Sequence, residues 1–403
     1  MRASSRLIGL LFWASLCAET PAVFRDIDRS MRELTGITGL PARKKVRAEI
    51  ISRDRVHQFL KDRVKEVVKP EDLRVEELTL KKFGFIPSDF ELAKSTVELL
   101  TEQAAAFYDF RRKKLFLTDW TSSGMQESAL VHELAHALAD QNFGLERFIR
   151  DSGHSDDSSL ARMAVMEGQA SWLMAEAMAQ RRSQSLLKDP SLLEAMGGAD
   201  SEGSQYPVFA AAPLYLRETL VFPYTHGMRF QHALVEKMGQ AAFSRIFRKP
   251  PVTTQQILHP EKYFAGEEPA RTALPVERIK GYRKVGDGMI GELDVTILLR
   301  QYGMRGEAQE IGPRWRGGAY ALWERRASGR SVLAHAVEWD SEEAAGRYFG
   351  AYHKVLAGKW KKLEIAEDSP RNLAGRGDDG YFQVRWSGRV VTAVEGLERA
   401  AAR

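Results

Sequence analysis

A single cysteine, Cys17, stands in 403 residues. That excludes an internal disulfide, so stability in an oxidising compartment has to come from packing. Long apolar runs are scarce as well. Leu7 to Leu16 is apolar but too short for a comfortable bilayer span. It follows the basic stretch Met1-Arg2-Ala3-Ser4-Ser5-Arg6, and the small residues Ser15, Cys17 and Ala18 at its end offer a cleavage region, which is the layout of a secretory signal peptide. Residues 1–18 are therefore expected to be a signal peptide, and the mature chain to be secreted or held in the periplasm or cell envelope without a transmembrane span. A lipid anchor on Cys17 is disfavoured, because Leu16 is a poor residue immediately before a lipidated cysteine. Neither sign of charge dominates: 59 Lys and Arg against 54 Asp and Glu leave a net +5. The basic clusters Ala42-Arg43-Lys44-Lys45-Val46-Arg47 and Arg111-Arg112-Lys113-Lys114 lack interleaved stacking aromatics, so nucleic acid is not an expected partner. Internal repeats, a Walker loop, a dinucleotide glycine-rich turn and a Ser-His-Asp elbow are all missing.

What the chain does have is Val131-His132-Glu133-Leu134-Ala135-His136-Ala137-Leu138. Leu134, Ala135, Ala137 and Leu138 are good helix formers with no polar group to satisfy. Residues four apart share a helix face, so His132 and His136 can present both imidazoles to one ion. Such a pair suits zinc, which takes nitrogen ligands in a tetrahedral site. Glu133 then leans over the open position and can take a proton from water as general base. Histidines merely hydrogen-bonded in the core are the plainer alternative, but an apolar helix bears a large desolvation cost for three such groups. Gln126-Glu127-Ser128 is read as the helix start.

A catalytic zinc needs a third protein ligand and an open fourth position. Glu167 is the best candidate, a carboxylate in the otherwise apolar helical stretch from Ser159 to Met174. Its small neighbours Gly168, Ala170 and Ser171 would let two helices approach closely. An ordinary surface glutamate is the competing reading, against which Val165, Met166 and Trp172 argue for burial. His154, in the loop-like Asp151-Ser152-Gly153-His154-Ser155-Asp156-Asp157, is a weaker ligand candidate. Asp140, one turn beyond His136, could orient a ligand imidazole.

Taken together, His132-Glu133-x-x-His136 and Glu167-Gly168-x-Ala170 resemble the gluzincin group of zinc metallopeptidases. More closely, the chain is similar to a group of bacterial secreted proteins built around this core. Leu100-Thr101-Glu102-Gln103 through Phe107-Tyr108-Asp109, Phe222-Pro223-Tyr224, and Gln256-Ile257-Leu258-His259-Pro260-Glu261-Lys262-Tyr263 carry that closer likeness, over roughly residues 40–270. The resemblance implies His132, His136 and Glu167 as zinc ligands and Glu133 as base. The gap between His136 and Glu167 is longer than in the best-known members and admits an inserted loop.

Elsewhere the pattern is mixed. Val46–Ile51 alternates like a strand, Asp54–Val68 is helical up to Pro70, and helical spacing recurs around Glu71–Lys82 and Asp89–Gln103. Residues 104–108 and 114–117 form a hairpin whose edge could hold an extended peptide. Residues 183–213 have turn signals, and helices resume at Leu214–Leu220, Gly227–Met238 and Ala241–Phe247. Hydrolysing an amide builds charge on the carbonyl oxygen, for which His259, Tyr224 or His226 could donate a hydrogen bond. Beyond residue 275, strands at 317–324 and 332–339, a helix from Asp340-Ser341-Glu342-Glu343 and a hairpin at 382–394 suggest a β-β-α-β-β unit, with Trp residues in its core.

The expectation is an α+β protein: a mainly helical, zincin-like peptidase core with a small sheet over residues 19–275, and an accessory α+β domain over 276–403. It binds one zinc ion at His132, His136 and Glu167, with Glu133 and His259 catalytic, and cuts peptides or proteins. The alternative is a non-catalytic exported binding protein on that scaffold with a structural metal.

Overall fold

The computed structural model describes residues 22–67, 69–103, 105–120, 122–151, 155–197 and 206–399. The expected signal peptide, Cys17 and His154 lie outside these residues. Helix α1 (Ile27–Thr38) leads to β1 (Arg47–Ile51), α2 (Arg53–Val67), α3 (Pro70–Phe83) and α4 (Leu92–Gln103). Strands β2 (Ala106–Asp109) and β3 (Lys114–Thr118) form the expected hairpin. There follow α5 (Ser123–Phe143), α6 (Leu145–Arg150), α7 (Asp156–Gln180), α8 (Pro190–Gly197), α9 (Pro207–Ala211), α10 (Leu214–Met238), α11 (Ala242–Arg248), α12 (Thr254–Leu258) and α13 (Pro260–Ala265). The C-terminal part comprises β4 (Arg283–Gly288), α14 (Glu292–Gln301), α15 (Arg305–Ile311), β5 (Trp315–Glu324), β6 (Ser331–Trp339), α16 (Glu342–Lys359), β7 (Leu363–Ser369), β8 (Asn372–Gly377), β9 (Gly380–Ser387) and β10 (Val390–Leu397). The architecture is α+β, as expected.

Two sheets organise it. In the small one, β3 lies between β1, which runs parallel to it, and β2, which runs antiparallel. Alternation sends Tyr108, Leu115 and Leu117 into the main helical core with α1, α5, α7 and α10, while Phe107 and Phe116 face α2. The large sheet is antiparallel in the order β4-β5-β6-β10-β9-β8-β7. Its inner face packs on α16, burying Trp315, Trp339, Tyr348 and Tyr352. That second core also takes in Leu80, Phe83, Phe85, Ile86 and Leu92, so the N-terminal half contributes directly to it.

Helix α10 departs from expectation by running unbroken through Pro223. Proline forfeits its bond to the carbonyl four residues back, a loss on the order of 3 kcal/mol in an isolated helix. Here burial of Phe222, Met228, Phe230, Leu234 and Val235 offsets it. Residues 183–213, expected as loop, hold α8 and α9.

The two cores meet at buried acids. Asp157, in the first turn of α7, accepts from the Thr254 hydroxyl at 2.5 Å and the Thr254 backbone N–H at 2.9 Å. Asp294, in the first turn of α14, accepts from the Gly291 N–H at 2.8 Å and the Tyr215 hydroxyl at 3.1 Å. Burial pushes Asp157 up to about 6 and Asp294 up to about 7, and the neighbouring acids Glu292, Asp156 and Asp157 add to the rise. A carboxyl whose folded pKa is raised binds its proton more tightly folded than unfolded. Its stabilisation is complete below the unfolded pKa near 4 and is lost as pH climbs through 6 to 7. The melting temperature is therefore expected to fall between pH 5 and pH 8, and Asp294→Asn to flatten that fall. An Asn variant with the full wild-type slope would remove Asp294 as its source.

Candidate metal centre

Helix α5 is buried almost all round: Leu130, Val131, Leu134, Ala135, Ala137 and Leu138 are each at most 2% exposed. It begins at Ser123, earlier than its polar residues suggested. It stops where Gly144 takes a left-handed φ of 70° and donates its N–H to the Asp140 carbonyl. Helix α7 starts at a Ser155 cap that accepts the Ser158 N–H, and Asp156 and Asp157 suit its positive end. Side by side, these two helices bring His132, His136 and Glu167 together.

The three donor atoms form a triangle. His132 Nε2 and His136 Nε2 are 3.1 Å apart, and each is 3.1 Å from Glu167 Oε2. Among the described residues this is the one group of three or more His, Cys, Asp or Glu side chains close enough to hold a metal ion. Protons fit the triangle poorly. If both imidazoles donate to the carboxylate, two N–H groups confront each other across the third edge. A single cation satisfies all three edges, and tetrahedral bonds of about 2.0–2.1 Å hold donors roughly 3.3 Å apart. Solvent reaches the group, since the His132 and Glu167 side chains keep 13% and 12% exposure. Burial pushes Glu167 upward, but the His136 and His132 imidazoles prevail and hold it well below the usual carboxylate range.

Glu133 sits beside the triangle. Burial pushes it up to about 7; the His132 imidazole opposes the rise, Glu167 adds to it, and the Tyr108 backbone N–H, aimed at the carboxylate, opposes it. The Tyr224 ring lies over that of His132, with centroids 6.0 Å apart and planes at 26°. Tyr224 is exposed, its hydroxyl lies against Glu167, and the Glu167 charge raises its pKa above the ordinary phenol value. The phenol thus keeps its proton.

The other sequence candidates have partners of their own. His259 joins α12 to α13, with Nε2 2.8 Å from Glu292 Oε1 and Nδ1 3.6 Å from Glu261. His226 stacks on Phe222, and burial pushes it down to about 4. Asp140 does not orient a ligand imidazole, because its two oxygens take the Tyr108 hydroxyl, the Lys113 ammonium and the Leu145 N–H.

The small residues around Glu167 serve a contact that sequence reasoning missed. Gly168 meets Gly227 of α10 backbone to backbone: a Cβ on Gly168 would lie 2.1 Å from the Gly227 carbonyl carbon, and one on Gly227 would lie 2.2 Å from the Ala164 oxygen. The signal was available as two glycines inside apolar helices, where glycine is costly unless something needs the space.

Residues 277–403 match a family model described as a domain of unknown function (DUF8575). No curated protein and no solved structure matches the chain.

Because a Cβ on Gly168 would meet only the rigid backbone of Gly227, Gly168→Ala has to part α7 from α10. Overpacking of this kind is expected to cost at least about 2 kcal/mol. A urea titration measures it, and an unchanged midpoint would show that the helices yield.

Proposed function

We propose that the protein is an exported zinc-dependent metallopeptidase of gluzincin type, with a zincin-like core over residues 19–275 and residues 276–403 as an accessory domain. The donor triangle of His132, His136 and Glu167, with Glu133 buried beside it, carries this reading. Two imidazoles and one carboxylate suit zinc and leave a coordination position open. Bound there, zinc would supply Lewis acidity, acidifying water and polarising a carbonyl.

The chain's own residues supply the remaining steps. Glu133 accepts a proton from the attacking water and delivers it to the leaving nitrogen. The protonated Tyr224 hydroxyl is the donor we assign to the developing oxyanion, since the ring of the alternative, His259, is engaged by Glu292. Strand β2, at one edge of the small sheet, offers backbone groups to an extended peptide, binding it without demanding a sequence. Export rests on the signal-like character of residues 1–18. No helix among the described residues is long and apolar enough to cross a membrane.

The purified protein is expected to hold one zinc per chain and to cleave an unstructured protein such as casein. Glu133→Gln is expected to keep the zinc and lose cleavage by a factor of about 100 or more. Casein cleavage at the wild-type rate by this variant would remove Glu133 as base. A zinc-loaded wild-type chain that cuts nothing would point to a non-catalytic binding protein. Tyr224→Phe, with zinc content unchanged, is expected to lower kcat by about 100-fold, the usual worth of an oxyanion donor; an unaltered kcat would exclude Tyr224.

A further inference from the structure

Asp140 follows His136 by one helical turn, yet it faces the hairpin rather than the ligands. Its side chain is 1% exposed. Oδ2 accepts from the Tyr108 hydroxyl at 3.1 Å and from Lys113 Nζ at 2.6 Å, while Oδ1 accepts from the Leu145 N–H at 3.0 Å. One carboxylate thereby ties three points together: strand β2, the turn that follows it, and the start of α6.

The turn is built for this. Asp109 takes the Arg111 and Arg112 N–H groups on its own carboxylate, curling the chain back. Lys113 then adopts a left-handed φ of 51°, uncommon for a residue with a side chain. That conformation accompanies the ammonium's contact with Asp140, and a charge-assisted bond to a buried carboxylate offsets such strain.

Two residues of the tied segment touch the candidate site. The Tyr108 backbone N–H is aimed at the Glu133 carboxylate. The Phe110 ring stands edge-on to His136 at 6.5 Å and edge-on to Tyr108 at 5.7 Å. A shift of the hairpin along α5 would move the amide away from Glu133 and the ring away from His136 together.

We propose that Asp140, through Tyr108 and Lys113, is a positioning residue that locks the β2–β3 hairpin onto α5 and so fixes the orientation of the Glu133 carboxylate. Its value to catalysis rests on the peptidase reading above; the positioning itself does not. Buried among three donors, Asp140 acts through Tyr108 and Lys113 and meets no substrate. A carboxylate suits the position because it accepts at both oxygens at once, and an amide there would turn one acceptor into a donor.

Amide hydrogen exchange in the full chain, followed by NMR, tests this without relying on activity. Tyr108→Phe removes only the hydroxyl. Asp140→Asn keeps the shape and loses the charge. Lys113→Gly removes the ammonium while suiting the left-handed backbone. In Tyr108→Phe and Asp140→Asn the residue-108 amide is expected to exchange at least tenfold faster, with Leu134 and Ala135 of α5 unchanged and zinc content as in wild type. Lys113→Gly is expected to show a smaller acceleration at the same amide. In casein assays Tyr108→Phe is expected to lower kcat about tenfold with KM unchanged. Unchanged exchange at residue 108 in both variants overturns the proposal. So does equal acceleration throughout α5, which would make the contact a plain stability element. If wild type cuts nothing while residue 108 responds as expected, the peptidase reading falls and the positioning of Glu133 stands.

Discussion

The candidate site depends on the glycine-to-glycine contact of α7 and α10. Residues with side chains keep packed helices about 8–10 Å apart, whereas Gly168 and Gly227 leave no room for even a Cβ between the backbones. Glu167 precedes Gly168, and Tyr224 lies one turn before Gly227. The close approach therefore brings a carboxylate from one helix to the imidazole pair on α5 and a phenol from the other over the His132 ring. Without it, Glu167 would be an isolated acid in an apolar helix, a costly arrangement that proteins rarely keep.

Buried polarity of this kind is tolerable only where each group answers another. Glu167 meets two imidazoles. Glu133 meets Tyr108 and the edge of the triangle, and Asp140 meets a phenol, an ammonium and an amide. The acids between the two cores are satisfied differently, by hydroxyl and backbone donors, with other acids as their charged neighbours. Around Glu167 the imidazoles hold a charge in place. The arrangement between the cores favours protonated carboxyls, and so links that contact to pH.

Much of this was legible in the residues, and the limits have physical causes. The His132–His136 pairing follows from helix periodicity, and the β2–β3 hairpin from alternation, because each is a local pattern. The position of Glu167 depends on which helix packs where, which no local pattern sets. Gly168 was rightly seen as allowing close approach, but its neighbour is α10 rather than α5. Strands β4, β7 and β8 escaped notice because they lack an apolar alternation: β7 is exposed over most of its length, and β8 is rich in glycine. Those glycines are needed, since a Cβ on Gly375 would strike the Glu364 carbonyl oxygen and one on Gly377 the Trp360 ring. Both clashes involve residues distant in sequence. Asp140 was misassigned for a related reason: helix spacing gives its face but not which strand crosses there.

The same helix pair also joins the two cores. Tyr215, near the start of α10, bonds Asp294, whose carboxyl lies near Asp157 at the start of α7. Further along, Gly168 meets Gly227, and Trp172 donates to His232 at 3.2 Å. The contacts advance in step, so α7 and α10 run in the same direction, both starting at the second core. At 1.5 Å per residue, Glu167 lies roughly 16 Å along from Asp156. A helix transmits axial position faithfully over that distance, and backbone contact at the glycines prevents one helix from sliding past the other. The second core therefore grips, at their starts, the two helices that bring the proposed third ligand and the proposed oxyanion donor to α5. Its contribution to the site is mechanical: it holds the ends from which Glu167 and Tyr224 are aimed.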